Sequence, residues 1–112
     1  MNDCLFCKIV RGEIPAKEIY RDEQMVAFHD ISPVAPTHAL IIPTKHIAKI
    51  ADLSEQDETL VGAMHLRLAK IAKELNLTDY RIVTNCGEQV GQSVLHLHFH
   101  LLGGRRMTWP PG

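Results

Sequence analysis

Between Gly91 and Gly104 the chain reads GQSVLHLHFHLLGG, with imidazoles at His96, His98 and His100. In an extended strand successive side chains point to opposite faces, so the three histidines share one face and Leu97, Phe99 and Leu101 the other. The strand rise sets neighbouring histidine Cα atoms about 6.7 Å apart and the outer pair about 13 Å apart. Zinc–nitrogen bonds of about 2.0–2.1 Å would let one ion gather two adjacent imidazoles but hardly all three, which disfavours a single three-histidine metal site on this strand. Nucleophilic and acid–base chemistry suits the row better. A neutral imidazole attacks phosphorus, an imidazolium is an acid near neutral pH, and neighbours can push the pKa values apart so that both forms coexist. The preceding GEQVGQS, residues 87–93, offers two glycines whose backbone N–H groups can approach an anion, and Ser93 adds a hydroxyl. That loop holds no lysine or arginine, so it reads as a cradle of neutral donors completed by the histidines. A lone His-x-His pair on a strand is most often core or surface. Three in strict alternation beside a Gly-Gln-Ser loop point to a site.

The elements that must position these residues follow from periodicity. DCLFCKIVR, residues 3–11, places Leu5, Phe6, Ile9 and Val10 on one helical face, with Asp3 as a cap and Gly12 and Pro15 as the stop. EIYRDEQMVAFHDIS reads as two short strands, 18–21 and 24–29. A Pro-rich loop follows, and then HALIIP, a nearly all-apolar strand suited to the sheet interior. The segment 54–75 is the clearest helix: Ser54 and Asp57 make a capping-box-like start, and Val61, Met64, Leu68, Ile71 and Leu75 recur at alternating spacings of three and four, with Asn76 as a left-handed terminator. YRIVTN is a strand, 86–93 a loop and 94–102 the last strand. Short connections favour antiparallel pairing. The expectation is a single α+β domain over residues 1–112, a five-stranded, mainly antiparallel sheet with two helices packed on it.

Composition excludes several classes. The chain has 112 residues, 46% hydrophobic and 22% charged, with a formal net charge of −1. Without a basic stripe, broad electrostatic binding to nucleic acid is not expected, although local donors can still hold one phosphate. ALIIP, the longest apolar run, is far too short to span a membrane, and the N-terminus lacks an apolar run of signal-peptide length. Three cysteines, an odd number, argue against a disulfide framework and for a reducing cytoplasm. Cys4 and Cys7 form a Cys-x-x-Cys, which fits a zinc half-site and equally fits two small buried residues one helical turn apart. No thioredoxin-like pattern surrounds it. Cys86 reads as a plain buried thiol.

HLHFHLL resembles the alternating histidine pattern that defines the histidine-triad (HIT) superfamily. FHDISPVAPTHALIIPTKH, GQSVLHLHFHLLGGR and the closing WPPG extend the likeness over nearly the whole chain. They resemble the nucleotide-binding branch, the purine nucleoside phosphoramidases. The third histidine, His100, stands where nucleotidyltransferase relatives typically carry glutamine, and GGR after the motif differs from dinucleoside polyphosphate hydrolases. The resemblance implies that His98 attacks the α-phosphorus of an adenosine 5′-phosphoramidate, that His100 contacts the phosphate and shuttles protons, that Ser93 binds phosphate or leaving group, and that His38 assists the nucleophile. It implies that Asp30, which as a bare residue reads as a turn cap, accepts the ribose hydroxyls, that Ile31 packs near the base, and that Asn85, Gly91 and Gln92 border the nucleotide. No cofactor is implied for the chemistry. Some bacterial members bind structural zinc through two cysteines and two histidines, matched here by Cys4, Cys7, His46 and His96.

The open sheet leaves edges, and edges are commonly covered or paired. YRIVTN and the long helix carry apolar surface enough to meet a second copy, giving a homodimer with a ten-stranded sheet. The resemblance implies that dimer, with the C-terminal segment reaching the partner's site and Trp109 lining its leaving-group side. The alternative is Trp109 packed on its own protomer. Two rival functions stand beside the hydrolase: a nucleotide-binding scaffold with incidental hydrolysis, and a metalloprotein working through the His-x-His pair.

Overall fold

The computed structural model describes residues 4–112. Its strands are β1 (Glu18–Arg21), β2 (Met25–His29), β3 (Thr37–Pro43), β4 (Tyr80–Val83) and β5 (Phe99–Gly103), and its α-helices are α1 (Leu5–Val10) and α2 (Glu58–Glu74). They form one five-stranded sheet in the order β1-β2-β3-β5-β4. Every neighbouring pair is antiparallel. β3 lies at the centre, which is why HALIIP is apolar without alternation: Ala39, Leu40, Ile41 and Ile42 are buried although they point to both faces.

The two helices cover opposite faces. Met64, Leu68 and Ile71 of α2 pack with Met25, Ala27, Ala39, Ile41, Leu97, Phe99 and Leu101. Phe6 and Ile9 of α1 pack with Val26, Phe28, Leu40 and Ile42. The leucine–phenylalanine face of the histidine segment therefore meets only α2, and the histidine face, expected to open into a polar cleft, is roofed in part by α1. His96 is fully buried at 0% exposure and His98 is 6% exposed.

The ends of the helices follow local chemistry. α2 is entered through a 3₁₀ turn over Glu55–Asp57. The Asp57 carboxylate accepts from the Ser54 N–H at 3.0 Å and from Lys45 Nζ at 2.6 Å. Asn76 takes φ 62°, and the Leu77 N–H returns to the Ala72 carbonyl at 2.8 Å, closing the helix with a left-handed residue. α1 starts at Cys4, whose sulfur accepts the Cys7 N–H at 3.4 Å. Asp3, the cap expected from sequence, lies outside the described residues. Leu5, expected on the buried face of α1, is exposed at 44%.

The last strand is shorter than the expected 94–102. The β3–β5 register runs from Thr37 opposite Gly103 to Ile41 opposite Phe99 and stops. Two residues on, β3 ends in Pro43, which has no N–H to extend the ladder. Other bonds hold the extended run before Phe99. The Leu97 N–H donates to the Ile47 carbonyl at 2.6 Å, and the Thr84 hydroxyl to the His98 carbonyl at 2.8 Å.

Candidate active site and thiol–imidazole cluster

His98 comes with its tautomer set. Nδ1 lies 2.7 Å from the His96 carbonyl, which can only accept, so Nδ1 carries the proton and Nε2 keeps a free lone pair. The ring is buried on one side by Phe6, edge to face, with centroids 5.1 Å apart. His100 is reached through a directed chain of hydrogen bonds. The Val34 N–H donates to Nδ1 of His38 at 3.1 Å, so the proton of His38 sits on Nε2. That Nε2 lies 2.9 Å from Nδ1 of His100 and 3.3 Å from Oδ2 of Asp30. His38 thus donates to His100, whose own proton is left on Nε2. Burial lowers the pKa of His38 against a small upward pull from Asp30. Burial first, then the neighbouring His98 and His38, push His100 down to about 4. At neutral pH His100 offers a neutral N–H donor beside the ring of His98.

A cavity of about 400 Å³ opens on these groups. Its apolar wall is Leu5, Phe6, Ile9, Ile14, Phe28 and Leu40, and its polar end is Asp30, Ser32, Ser93, His98 and His100. Asp30 is placed by its own turn, with Oδ1 accepting the Ser32 N–H at 2.8 Å, so the cap reading of this residue holds and spare lone pairs remain. Ile31 stands at the rim, 91% exposed. The structure thus gathers His98, His100, Ser93, Asp30 and Ile31 around one cavity, with His38 directly behind.

Other expected residues sit elsewhere or do other work. Gln92 is buried, and its side chain holds the loop together: Oε1 accepts the Gly87 N–H at 2.9 Å, and Nε2 donates to the Ala48 and Val94 carbonyls at 2.8 and 3.0 Å. These bonds tie its side-chain amide to the protein's own backbone, while the residue also lines a hollow with Gly91 and Ser93. Gly91 takes φ 102°, a conformation that a residue with a Cβ would adopt only with strain. Asn85 itself lines a separate hollow with Arg81, Val83 and the C-terminal segment. Trp109 is 81% exposed, which overturns its packing on its own protomer. Cys86, expected to be buried, is exposed.

The wall of α1 and Ile14 is what the sequence reading missed. Its 3.6-residue periodicity announces burial without saying that part of the buried face borders a cavity. His29 lines the same cavity unforeseen. Lys49 was missed too: it lines a hollow with Gly87, Gly91 and Ser93, bringing a cation to a loop whose own sequence has none. The Gln92 bond to the Ala48 carbonyl fixes the backbone that carries it.

Two clusters of potential metal ligands lie among the described residues: Cys4, Cys7, His46 and His96, and Asp30, His38 and His100. Tautomers separate them. Nε2 of His96 donates to the Pro43 carbonyl at 2.9 Å, which leaves the Nδ1 lone pair facing the sulfurs. Around that atom Cys4 Sγ is at 3.3 Å, Cys7 Sγ at 3.5 Å and His46 Nδ1 at 3.1 Å, while Cys7 Sγ lies 3.2 Å from His46 Nδ1. Tetrahedral zinc with ordinary bond lengths needs sulfur–nitrogen and nitrogen–nitrogen edges of about 3.3–3.6 Å. The four residues fit such an ion. The second cluster does not, because Nδ1 of His38 accepts a backbone N–H and Nε2 therefore carries a proton instead of a lone pair.

The neutral state of His100 makes stability depend on pH in a stated direction. The unfolded chain holds the imidazole near its ordinary value of 6.5, whereas the folded protein holds it at about 4. Between these values the unfolded state binds more protons, so stability falls as pH falls from 6.5 towards 4. Urea denaturation midpoints should drop across that window, and the drop should be smaller in His100→Asn; equal slopes in the two proteins would refute the assignment.

The family described as scavenger mRNA decapping enzyme C-term binding matches residues 3–108. An uncharacterized HIT-like protein of Synechocystis is 44% identical over 112 residues, covering 99% of this chain and 98% of that protein. A second from Synechococcus elongatus is 46% identical with the same coverage. Among solved structures, a HIT family hydrolase from Legionella pneumophila superposes with a TM-score of 0.95 at 52% identity, covering 97% of this chain and 99% of that one. A histidine triad protein from Clostridium difficile superposes with a TM-score of 0.92 at 42% identity, covering 96% of each. With its alternating histidines, five-stranded antiparallel sheet and two helices, the chain belongs to the histidine-triad (HIT) superfamily and has the fold of its hydrolases.

Proposed function

We propose that the protein hydrolyses the P–N bond of purine nucleoside 5′-phosphoramidates and releases the nucleoside monophosphate. The observation that carries this reading is the free Nε2 of His98 at the polar end of a cavity whose other wall is apolar. A purine suits the wall of Phe6, Ile9, Phe28 and Leu40. The ribose hydroxyls suit Asp30, and the phosphate suits Ser93 and the N–H of His100.

The Nε2 lone pair of His98 attacks the α-phosphorus, a P–N bond forms to the imidazole, and the bond to the leaving amine breaks. The amine takes its proton from solvent, while the His100 N–H and the Ser93 hydroxyl donate hydrogen bonds to the phosphate oxygens and line that route. Water then attacks the nucleotidyl-histidine, gives its proton back along the same route and frees the imidazole. The Nδ1–H bond to the His96 carbonyl stabilises the positive charge that develops on His98 while the adduct exists. No metal or other cofactor enters these steps.

The Cys4, Cys7, His46 and His96 cluster is read as a zinc site of structural kind, all four positions being filled by protein. It requires thiols kept reduced, which suits a cytoplasmic location. β4 is an edge strand with Tyr80 and Ile82 exposed, and Leu66 is exposed on α2. This apolar edge supports a homodimer with a continuous sheet. The exposed Trp109 supports its placement at the partner's site, against the leaving group.

His98→Ala should lower turnover of adenosine 5′-phosphoramidate by about 10³-fold or more while AMP binding persists. Rapid acid-free quenching of the wild type should trap a nucleotidyl-protein adduct. Near-normal turnover in His98→Ala would sink the reading, and a panel that includes dinucleoside polyphosphates would show whether P–O bonds are preferred instead. Elemental analysis of protein purified without chelator should find about one zinc per chain, and none in Cys4→Ser/Cys7→Ser. Removing residues 108–112 should reorder the ranking of leaving groups more than it weakens AMP. A monomer by sedimentation at micromolar concentration, or an unchanged ranking, would count against the role of Trp109.

A further inference from the structure

The nucleotide cavity and the thiol–imidazole cluster share one short helix. α1 has six residues, too few to hold a helical position without tertiary anchors. At its start stand Cys4 and Cys7, whose sulfurs face His96 and His46. At its end the Arg21 guanidinium ties down the Ile9 and Val10 carbonyls at 3.2 and 2.9 Å. Between the two cysteines sits Phe6. Its ring stands edge to face against His98, with centroids 5.1 Å apart and planes at 89°, and against His96 at 5.9 Å and 74°. Phe6 also lines the cavity with Leu5 and Ile9. A second connection runs through the backbone: the carbonyl of His96, a residue of the cluster, accepts the hydrogen bond that sets the tautomer of His98.

We infer that Phe6 is a positioning residue for His98 and that its place is governed from the Cys4, Cys7, His46 and His96 cluster, so that a metal ion there and a nucleotide in the cavity bind with positive coupling. This rests on the zinc and nucleotide readings above. Ligation of both sulfurs fixes the first turn of α1 against His96. That turn carries Leu5 and Phe6, which close the apolar wall and hold one face of the His98 ring. When the sulfurs are unligated, only the apolar packing of Phe6 and weak thiol hydrogen bonds hold the helix start, and the wall loses its firmest anchor. Coupling between two ligands is reciprocal: the factor by which the metal tightens the nucleotide is the factor by which the nucleotide tightens the metal. A metal that served local stability alone would leave the two affinities independent.

The test uses the full chain under a non-chelating reductant. Zinc affinity is measured by competition with a chromogenic chelator, with and without saturating AMP, and AMP affinity by calorimetry on zinc-loaded and zinc-depleted protein. AMP should tighten zinc at least about fivefold, and zinc should tighten AMP by the same factor. Phe6→Leu keeps an apolar side chain for folding but has no ring to set against His98; it should still bind one zinc while the coupling factor falls to near one. One zinc bound with an affinity indifferent to AMP overturns the coupling and leaves the zinc reading standing. No zinc uptake overturns both. Coupling of full size in Phe6→Leu overturns the part assigned to Phe6.

Discussion

The hydrogen bond from Nε2 of His96 to the Pro43 carbonyl is the constraint on which the site depends. It is made where β3 can no longer donate from its backbone, and it turns the ring of a fully buried histidine so that Nδ1 faces the two cysteines. Reversing that ring would set an N–H against the sulfurs and leave the Pro43 carbonyl unpaired in the interior. The backbone of the same residue carries the next link, since its carbonyl accepts a hydrogen bond from the Nδ1–H of His98. One buried residue thus orients a metal-competent cluster with its side chain and the ring of His98 with its main chain.

The sheet makes this possible by being covered on both faces. Alternation sends Leu97, Phe99 and Leu101 into the α2 core, where close packing fixes the height and phase of the strand. The histidines then arrive on the other face with little freedom of their own. There α1 covers only part of the surface. His96 is sealed beneath it, His98 lies at its margin, and His100 stands half-buried beyond. Equal residues at equal spacing therefore acquire three environments: a ligand-like ring, a ring whose Nε2 keeps a free lone pair, and a neutral donor held by His38.

Buried polar groups are expensive unless every one is paired, and here the pairing carries information. No buried side-chain nitrogen or oxygen among the described residues lacks a partner. Because carbonyls only accept and backbone N–H groups only donate, the ends of each chain of bonds fix the protons between them. The Val34 N–H thereby decides that His38 donates to His100, and the same decision removes His38 from the list of possible metal ligands.

The sequence by itself determined which elements form and which faces they bury. Periodicity located α2 and its cap at Ser54, the apolar run of β3 located the sheet centre, and strict alternation put three imidazoles on one side of an extended run that ends in β5. These are local properties, set by repeat lengths that each segment carries alone. The long likeness of motifs also named the histidines, Asp30 and the two cysteines in advance. Tertiary structure decided what no spacing encodes: that α1 covers the histidine face, that Phe6 sits against His98, and that Gln92 turns inward to bind the Ala48 carbonyl. Each is a contact between segments far apart in the chain. It depends on which face a helix lands on and which lone pair a distant carbonyl leaves free, and neither exists until the sheet has closed its register.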